Sequence, residues 1–398
     1  MNNFARFRSA LATVVAGGVL CACPWRADAN TYLQTNLVSD IPGLAIVTDS
    51  LLKNPWGLVT NATSPFWSAN QFTNTSTVYR VVGSTNVSKV DINPPPNNFV
   101  AIPTTLSGPQ GPTGIVANTN TAAFQLVPGM TNTSSRFIFA NLNGTISGWA
   151  GGQSATIKAT TTPGAVYTGL AIGAGQTQLY AANAIGAAGS INVFDSTFAP
   201  VNLPGAFTDP TLPSGFVPFN VQDIGGKVFV TYAPAGAAAQ RAAAPGQGFV
   251  SVFGENGAFL QRLISGGPLA SPWGLALAPA GFGQFGGDLL VGNFSFVASG
   301  INAFDPITGE FKGTIPVDVG SGNTPGGLWS LFFGNGVNGG DPNTLYFTEG
   351  INGEANGLFA AIQSETPLPA ALPLFVTGLG TLALFGWRRK KKAAAFAA

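Results

Sequence analysis

The sequence predicts an all-β fold, a single β-propeller of about six four-stranded blades. Three observations lead to this prediction: a turn-rich composition with little charge, a repeat slightly longer than 50 residues, and short apolar strands closed by turns. Only 8% of the 398 residues are charged, whereas glycine (53) and proline (29) are abundant. Coiled coils, charged helical bundles and charge-driven disorder are therefore excluded, because enough Val, Ile, Leu and Phe is present to bury a core.

Six tetrapeptide anchors recur within residues 30–365, the predicted propeller domain. Their first residues are Pro55, Pro112, Tyr167, Pro218, Pro272 and Pro325. Counted from their third residues, the spacings are 57, 55, 51, 54 and 53. A repeat of this length with this content is typical of propeller blades, whose radial closure protects the sheet edges. Two packed sandwich domains are the alternative, but they would not explain six like-spaced anchors.

Each anchor is followed by an apolar strand that ends in a small or polar pair, and then by a third strand, as at residues 191–195, 250–254 and 301–305. Alternating apolar and polar residues between turns predict about four antiparallel strands in each repeat. The last repeat supplies only three strands, so we predict that a strand near residues 32–38 completes its blade. In the anchors we expect glycine to permit a backbone bend and tryptophan to fill the space between blades, although a sugar-binding aromatic surface is an alternative.

Residues 1–29 have the three parts of a secretory signal peptide. Arg6 and Arg8 precede an apolar stretch, and Ala27 and Ala29 form a small-x-small site, so cleavage is predicted after Ala29. Lipoprotein processing at Cys23 is the alternative. Either way the sequence predicts an exported protein.

Residues 366–392 have a composition of their own. The motif Pro367-Leu368-Pro369 precedes an apolar span at residues 370–387 and a basic terminus, and a short Ala-rich end follows at residues 393–398. The five basic residues are Arg388, Arg389, Lys390, Lys391 and Lys392. Eighteen apolar residues lie at the short end of what crosses a bilayer, and the cations would stay on the cytoplasmic side. A simple transmembrane anchor is one interpretation of this helix.

This order of proline motif, short span and basic terminus resembles the PEP-CTERM sorting signal of Gram-negative bacteria, with Leu368 where Glu is usual. The resemblance implies passage through the secretion machinery and transient attachment to the inner membrane. It also implies cleavage near the prolines by an exosortase in cells that make exopolysaccharide. The product is then expected at the cell surface or in the extracellular matrix.

Motifs throughout the body resemble an uncharacterised family of secreted bacterial NHL-like β-propeller proteins. They include Leu37-Val38-Ser39-Asp40 and Asn54-Pro55-Trp56-Gly57-Leu58 near the start, and Gly357-Leu358-Phe359 near the end. The resemblance covers nearly the whole body and implies a location and a fold, but no reaction. Relatives often carry a histidine where this chain has Asn356.

The composition excludes several kinds of catalytic, metal-binding and disulfide chemistry. The chain contains no histidine, and both cysteines, Cys21 and Cys23, fall in the predicted leader. A mature body therefore lacks Cys or His nucleophiles, His-ligated metals and disulfides. Residues 30–366 carry nine Lys and Arg against fifteen Asp and Glu, a net charge of −6, which argues against nucleic acid as a partner.

Polar residues at the ends of the second strands form a candidate ligand face. They are Asn70, Asn141, Asn183, Asn293 and Glu349. Propeller symmetry would bring them into a ring, and amides suit hydroxyl-rich ligands such as polysaccharide. The alternative is that each Asn bonds the backbone of a loop between strands.

Four carboxylates raise the question of an enzyme. Asp49, Asp223, Asp341 and Glu354 would have to converge to hold Ca²⁺ or to form a catalytic pair, but no dense calcium-binding loop occurs. The leading expectation is a non-enzymatic propeller with no catalytic residue, metal or cofactor, which binds exopolysaccharide or a surface protein. The alternative is a lactonase-like hydrolase or lyase with a carboxylate-bound metal.

Overall fold

Six antiparallel sheets stand around a central axis in the computed structural model, which describes residues 32–92, 98–160 and 164–365. The innermost strand of each sheet contacts that of the next, and the sixth contacts the first. The described residues therefore form a closed six-bladed β-propeller, and the alternative of two sandwich domains is wrong. The predicted signal peptide at residues 1–29 and the predicted sorting segment from residue 366 onward lie outside the described residues. No helix in the described ranges has the length and apolar character needed to cross a membrane.

The first three blades each have four antiparallel strands, which succeed one another from the axis outward. Blade 1 consists of Pro55–Val59, Phe66–Asn70, Thr75–Val82 and Asn86–Lys89, with Val100–Ala101 paired to its third strand. Blade 2 consists of Pro112–Ala117, Phe137–Asn141, Thr145–Trp149 and Thr156–Thr160. Blade 3 consists of Tyr167–Ile172, Gln178–Asn183, Ser190–Asp195 and Pro200–Val201.

The last three blades follow the same plan. Blade 4 consists of Phe216–Ile224, Lys227–Pro234, Phe249–Gly254 and Phe259–Ser265, with the short helix Ala237–Arg241 between its second and third strands. Blade 5 consists of Pro272–Leu277, Leu289–Asn293, Gly300–Phe304 and Phe311–Ile315, with a 3₁₀ turn at Gly283–Phe285. Blade 6 consists of Pro325–Phe333, Leu345–Ile351, Asn356–Ser364 and Tyr32–Ser39, and Val47–Thr48 runs parallel to the last of these. The third strands predicted from the sequence agree with these bounds to within one residue.

Blade 6 is closed by a strand from the beginning of the described chain. Tyr32–Ser39 pairs antiparallel with Asn356–Ser364, next to the third strand of the blade. The hydroxyl of Ser39 donates a hydrogen bond of 2.7 Å to the carbonyl of Gly357 inside the sheet. The prediction that a strand near residues 32–38 completes the sixth blade is therefore confirmed.

The hydrophobic core consists of six clusters between neighbouring blades and a seventh on the axis. Between blades 6 and 1, for example, Val38 and Phe359 pack with Phe66 and Tyr79. The axial cluster contains Trp56, Phe219, Ala233, Trp273, Phe294 and Trp329. Each blade thus shares its core with both neighbours, and the axis is filled with aromatic rings.

The anchors lie at the beginnings of the inner strands, where each strand carries a β-bulge. A Cβ atom on Gly114 would lie 2.3 Å from the backbone nitrogen of Leu170 in the next blade. Glycine is therefore required there because two neighbouring inner strands approach closely. In blade 4 the same position is Asn220, whose Nδ2 donates to the carbonyl of Trp273 in blade 5 at 2.8 Å.

The anchor tryptophans do not lie where the sequence suggested. Trp56 and Trp273 belong to the axial cluster, and Trp56 stacks on Trp329 with ring centroids 3.6 Å apart. They are buried and pack against residues of other blades, as predicted for a packing role, but they do so at the axis and not between two neighbouring sheets. The β-bulge at the anchor interrupts the regular alternation of side chains along the strand. The tryptophan side chain is therefore directed toward the axis.

Candidate functional site

A cavity of about 600 Å³ opens on the face where the inner strands begin; we call it the axial well. All six blades line it, through residues such as Trp56, Leu142, Thr168, Phe219, Phe294 and Glu354. The rings of Trp56, Phe219 and Phe294, which belong to the axial cluster, form its floor. Phe72 stands at its rim with 60% of its surface exposed. The volume is in the range that accepts a small-molecule ligand.

An ion pair forms part of the wall of the axial well. Arg241, the last residue of the helix Ala237–Arg241, donates from Nε and Nη2 to Oε2 of Glu354 at 2.7 and 2.6 Å. Burial raises the pKa of Glu354, and the neighbouring Arg241 opposes this shift. The other carboxylate oxygen accepts a hydrogen bond of 3.3 Å from Nδ2 of Asn54. The wall therefore offers fixed polar groups whose charges cancel.

Asn54 connects the wall of the axial well to its floor. Its Oδ1 accepts a hydrogen bond from Nε1 of Trp329 at 2.8 Å, and its Nδ2 lies 2.8 Å from Oε1 of Gln71. Asn54 has a φ of +45° and Glu354 a φ of +70°, both in the left-handed region. Asparagine tolerates this region, whereas glutamate rarely enters it.

A second cavity, of about 390 Å³, lies at the opposite end of the axis. Its polar lining includes Thr60, Gln176, Gln222, Asp223 and Ser330, and it shares no lining residue with the axial well. Burial and the nearby carboxylate of Glu255 both raise the pKa of Asp223. This cavity has neither the arginine nor the aromatic floor of the axial well, although Trp273 borders it.

The four asparagines of the predicted ring do occupy equivalent positions, each opposite the first residue of its anchor. They lie on the same face as the axial well but are buried. The Nδ2 of Asn141 donates to the Thr145 carbonyl at 3.1 Å, and that of Asn293 donates to the Pro268 carbonyl at 2.9 Å. Asn70 and Asn183 bond neighbouring side chains through their own Nδ2 atoms. Asn141, Asn183 and Asn293 thus bond backbone groups, as the alternative holds, whereas Asn70 bonds only side chains, and the ligand-face interpretation stays a prediction.

Glu349 departs from the position predicted for it. In blade 6 the first anchor residue, Pro325, lies opposite Ile351, while Glu349 lies opposite Leu328, deeper in the sheet. The bulge of the inner strand changes this register. Glu349 is fully buried; its Oε1 accepts a bond of 3.3 Å from the hydroxyl of Ser299, and its Oε2 has no hydrogen-bond partner among the described residues. Burial raises its pKa to about 8, so the carboxyl group is largely protonated at neutral pH.

The four candidate carboxylates do not converge. Asp49 is buried in an ion pair with Lys89 at 2.8 Å, and Asp341 accepts a backbone N–H within its own turn. Asp223 and Glu354 line cavities at opposite ends of the axis. Within the described ranges, no group of three His, Cys, Asp or Glu side chains is placed to hold a metal ion. Only Glu354 therefore belongs to the candidate site.

Several residues of the axial well had no signal in the sequence. Arg241 stands in an alanine-rich segment without a motif, and only the scarcity of cations in the body could have drawn attention to it. Gln71 and Phe72 directly follow the predicted ring residue Asn70, so the end of the second strand was the correct region. The residues one position beyond the predicted asparagines, Gln71, Leu142, Ala184 and Phe294, all line the well, but only Gln71 carries an amide.

Three viral proteins are similar in sequence to this chain. The uncharacterized protein R648 of Acanthamoeba polyphaga mimivirus is 28% identical over 352 residues, which is 85% of this chain and 82% of the viral protein. The uncharacterized protein L690 of the same virus is 28% identical over 303 residues, with 73% and 76% covered. The uncharacterized protein R640 is 27% identical over 258 residues, with 62% and 46% covered. These relatives have no stated activity.

No family model matches the sequence. Among solved structures, hydrazine synthase of Kuenenia stuttgartiensis aligns with a TM-score of 0.45 at 13% identity, covering 78% of this chain and 79% of that one. A chain of the nidogen/laminin complex aligns with a TM-score of 0.41 at 11% identity, covering 69% and 86%. The six-bladed fold follows from the described strands themselves, and membership of the bacterial secreted family stays a prediction.

Proposed function

We propose that this protein is an exported, non-enzymatic binding propeller that holds a hydroxyl-rich ligand, such as part of an exopolysaccharide, in the axial well. The observation that carries the proposal is the combination of an aromatic floor with a wall of amides and a neutralised ion pair. Binding sites for small ligands characteristically combine an apolar lining with a few fixed polar groups.

The chemistry of the lining favours a neutral polyol. Aromatic rings offer flat apolar faces against which the C–H faces of sugar rings pack, and the amides of Gln71 and Gln240 both donate and accept hydrogen bonds. The charges of Arg241 and Glu354 cancel each other. The acidic body, with a net charge of −6 over residues 30–366, would repel a polyanion.

Replacing Gln71 and Phe72 together by Ala should weaken binding of the producing strain's exopolysaccharide at least about tenfold, or roughly 1.4 kcal/mol. The change removes one amide from the wall and the aromatic ring from the rim. Isothermal titration calorimetry measures the affinity, and thermal melting verifies that the variant is folded.

The matched control is Gln222→Ala, which removes an amide from the cavity at the opposite end of the axis. We expect this variant to bind like the wild type. Unchanged affinity in the double variant together with loss of binding in Gln222→Ala would place the ligand at the other end and contradict the proposal.

We also propose that residues 366–392 are a sorting signal that an exosortase removes, so that the product reaches the cell surface or matrix. The support is the order of proline motif, 18-residue apolar span and five terminal cations. Mass spectrometry of protein released from cells should find C-terminal peptides that end near residues 365–371, and none from residue 374 onward. Released protein with an intact basic terminus at residues 388–392 would show that the span is an ordinary anchor.

A further inference from the structure

The axial well is open at one end only. Its lining comes from all six blades, so the ring surrounds it on every side. Its floor is the axial cluster, in which Trp56 and Trp329 stack at 3.6 Å and Trp273 meets Trp329 edge to face at 5.7 Å. The cavity beyond this floor shares no lining residue with the well. A ligand therefore enters and leaves through the same mouth.

We propose that the axial well receives the free end of a polysaccharide chain rather than an internal segment; this inference rests on the proposed function. An internal segment has chain on both sides and needs a groove with two exits. A closed well admits such a segment only if the polymer folds sharply back on itself, which costs conformational freedom. A chain end needs only one exit and does not have to fold back on itself.

The floor of the well contains a hydrogen-bond donor without a partner. The indole N–H of Trp329 donates to Asn54 and that of Trp273 donates to the Thr168 carbonyl, each at 2.8 Å. The indole N–H of Trp56 is buried, since the residue is only 6% exposed, and it has no acceptor among the described residues. A buried donor of this kind is costly unless something completes its bond.

Trp56 is therefore the residue that we assign to recognition of the chain end. A terminal sugar has one more hydroxyl group than an internal one, because no linkage occupies that oxygen. The Nε1 atom of Trp56 has almost no accessible surface, so a terminal hydroxyl reaches this N–H only when the rings of the floor shift as the sugar binds, while Gln71 and the Arg241–Glu354 pair bind hydroxyl groups higher in the well. Trp56 thus becomes the specificity-determining residue of the site.

The decisive measurement is stoichiometry against chain length. Linear exopolysaccharide of the producing strain is partly hydrolysed, separated into short and long fractions, and titrated calorimetrically into the purified protein. End recognition predicts the same number of protein molecules per chain, at most two, in every fraction. A number that rises in proportion to chain length would overturn the inference and leave the proposed function intact. Absence of binding in every fraction would overturn both.

Trp56→Phe supplies an independent test, because it keeps an aromatic ring in the floor and removes the N–H. We expect roughly 3- to 10-fold weaker binding with unchanged stoichiometry. The matched control is Trp149→Phe, which removes an N–H that donates to the Gly152 carbonyl in blade 2, outside the well. Equal affinities in the wild type and both variants would overturn the role of Trp56.

A spectroscopic readout covers the case in which Trp56→Phe fails to fold. In wild-type protein labelled with ¹⁵N on tryptophan, the indole signal of Trp56 should shift when a short chain fragment binds, because its N–H gains an acceptor. The indole signal of Trp149 should stay in place. A Trp56 signal that does not move at saturation would overturn the assignment.

Discussion

Replacing Glu349 by Gln should make the free energy of unfolding less dependent on pH. Between pH 4.5 and pH 8 the wild type should lose roughly 5 kcal/mol of stability relative to the variant. The pKa of Glu349 rises from 4.5 to about 8 in the folded protein because burial disfavours the charged carboxylate. The unfolded chain loses its proton near pH 4.5, whereas the folded chain keeps it until about pH 8. The contribution to stability is therefore fully present below pH 4.5, declines as the pH rises, and is lost above pH 8.

Urea unfolding of wild type and Glu349→Gln at pH 4, 6 and 9 measures this difference. Glutamine keeps the shape and the neutral charge of the protonated acid, so the two proteins should be similar at pH 4 and the variant should be the more stable at pH 9. The control is Glu310→Gln, which changes a carboxylate on an exposed turn paired with Lys312. If the wild-type and Glu349→Gln curves run parallel across this range, Glu349 is not held protonated by the fold.

Deletion of residues 30–40 should have a comparably large effect on stability. It removes the closing strand Tyr32–Ser39, on which Leu37 and Val38 are fully buried, and the lost burial alone costs about 4 kcal/mol. It also leaves the strand Asn356–Ser364 as an unpaired edge, which is a template for aggregation. We expect a markedly lower melting temperature by circular dichroism and aggregation by light scattering.

The control for the deletion is Leu33→Ser on the same strand. Leu33 is 51% exposed and faces solvent, so its replacement should leave the melting temperature within about 2 °C of the wild type. A deletion variant that melts like the wild type and stays monomeric would contradict closure of the sixth blade by this strand.

Repetition made the fold predictable from the sequence. Anchors such as those that begin at Pro55 and Pro272 recur because the inner strand of each blade closely approaches that of the next blade. Their regular spacing therefore gives the number of blades. The closing strand was predictable for a related reason, since the last repeat lacked a fourth strand. Both predictions depend on features that every blade must have.

The site was less predictable because it depends on the differences between blades. Arg241 lies in a segment of blade 4 that has no counterpart in the other repeats, and its pairing with Glu354 joins positions 113 residues apart. The register of Glu349 depends on a bulge, which a repeat alignment does not show. Trp56 could be assigned to an anchor, but the direction of its ring toward the axis follows from that same local irregularity.

The closing strand also determines when folding can finish. Ser39 bonds Gly357 across 318 positions of sequence, so the ring cannot close until nearly the whole body has been synthesised. Contacts between such distant residues form slowly, because a long loop must be closed before they contribute any stability. Chains emerge with the N-terminus first, so the strand Tyr32–Ser39 lacks its antiparallel partner Asn356–Ser364 while blades 1 to 5 assemble. The strand that completes the ring is therefore the one whose edge stays exposed longest in the newly made chain. During this interval the chain most needs protection against pairing with other chains.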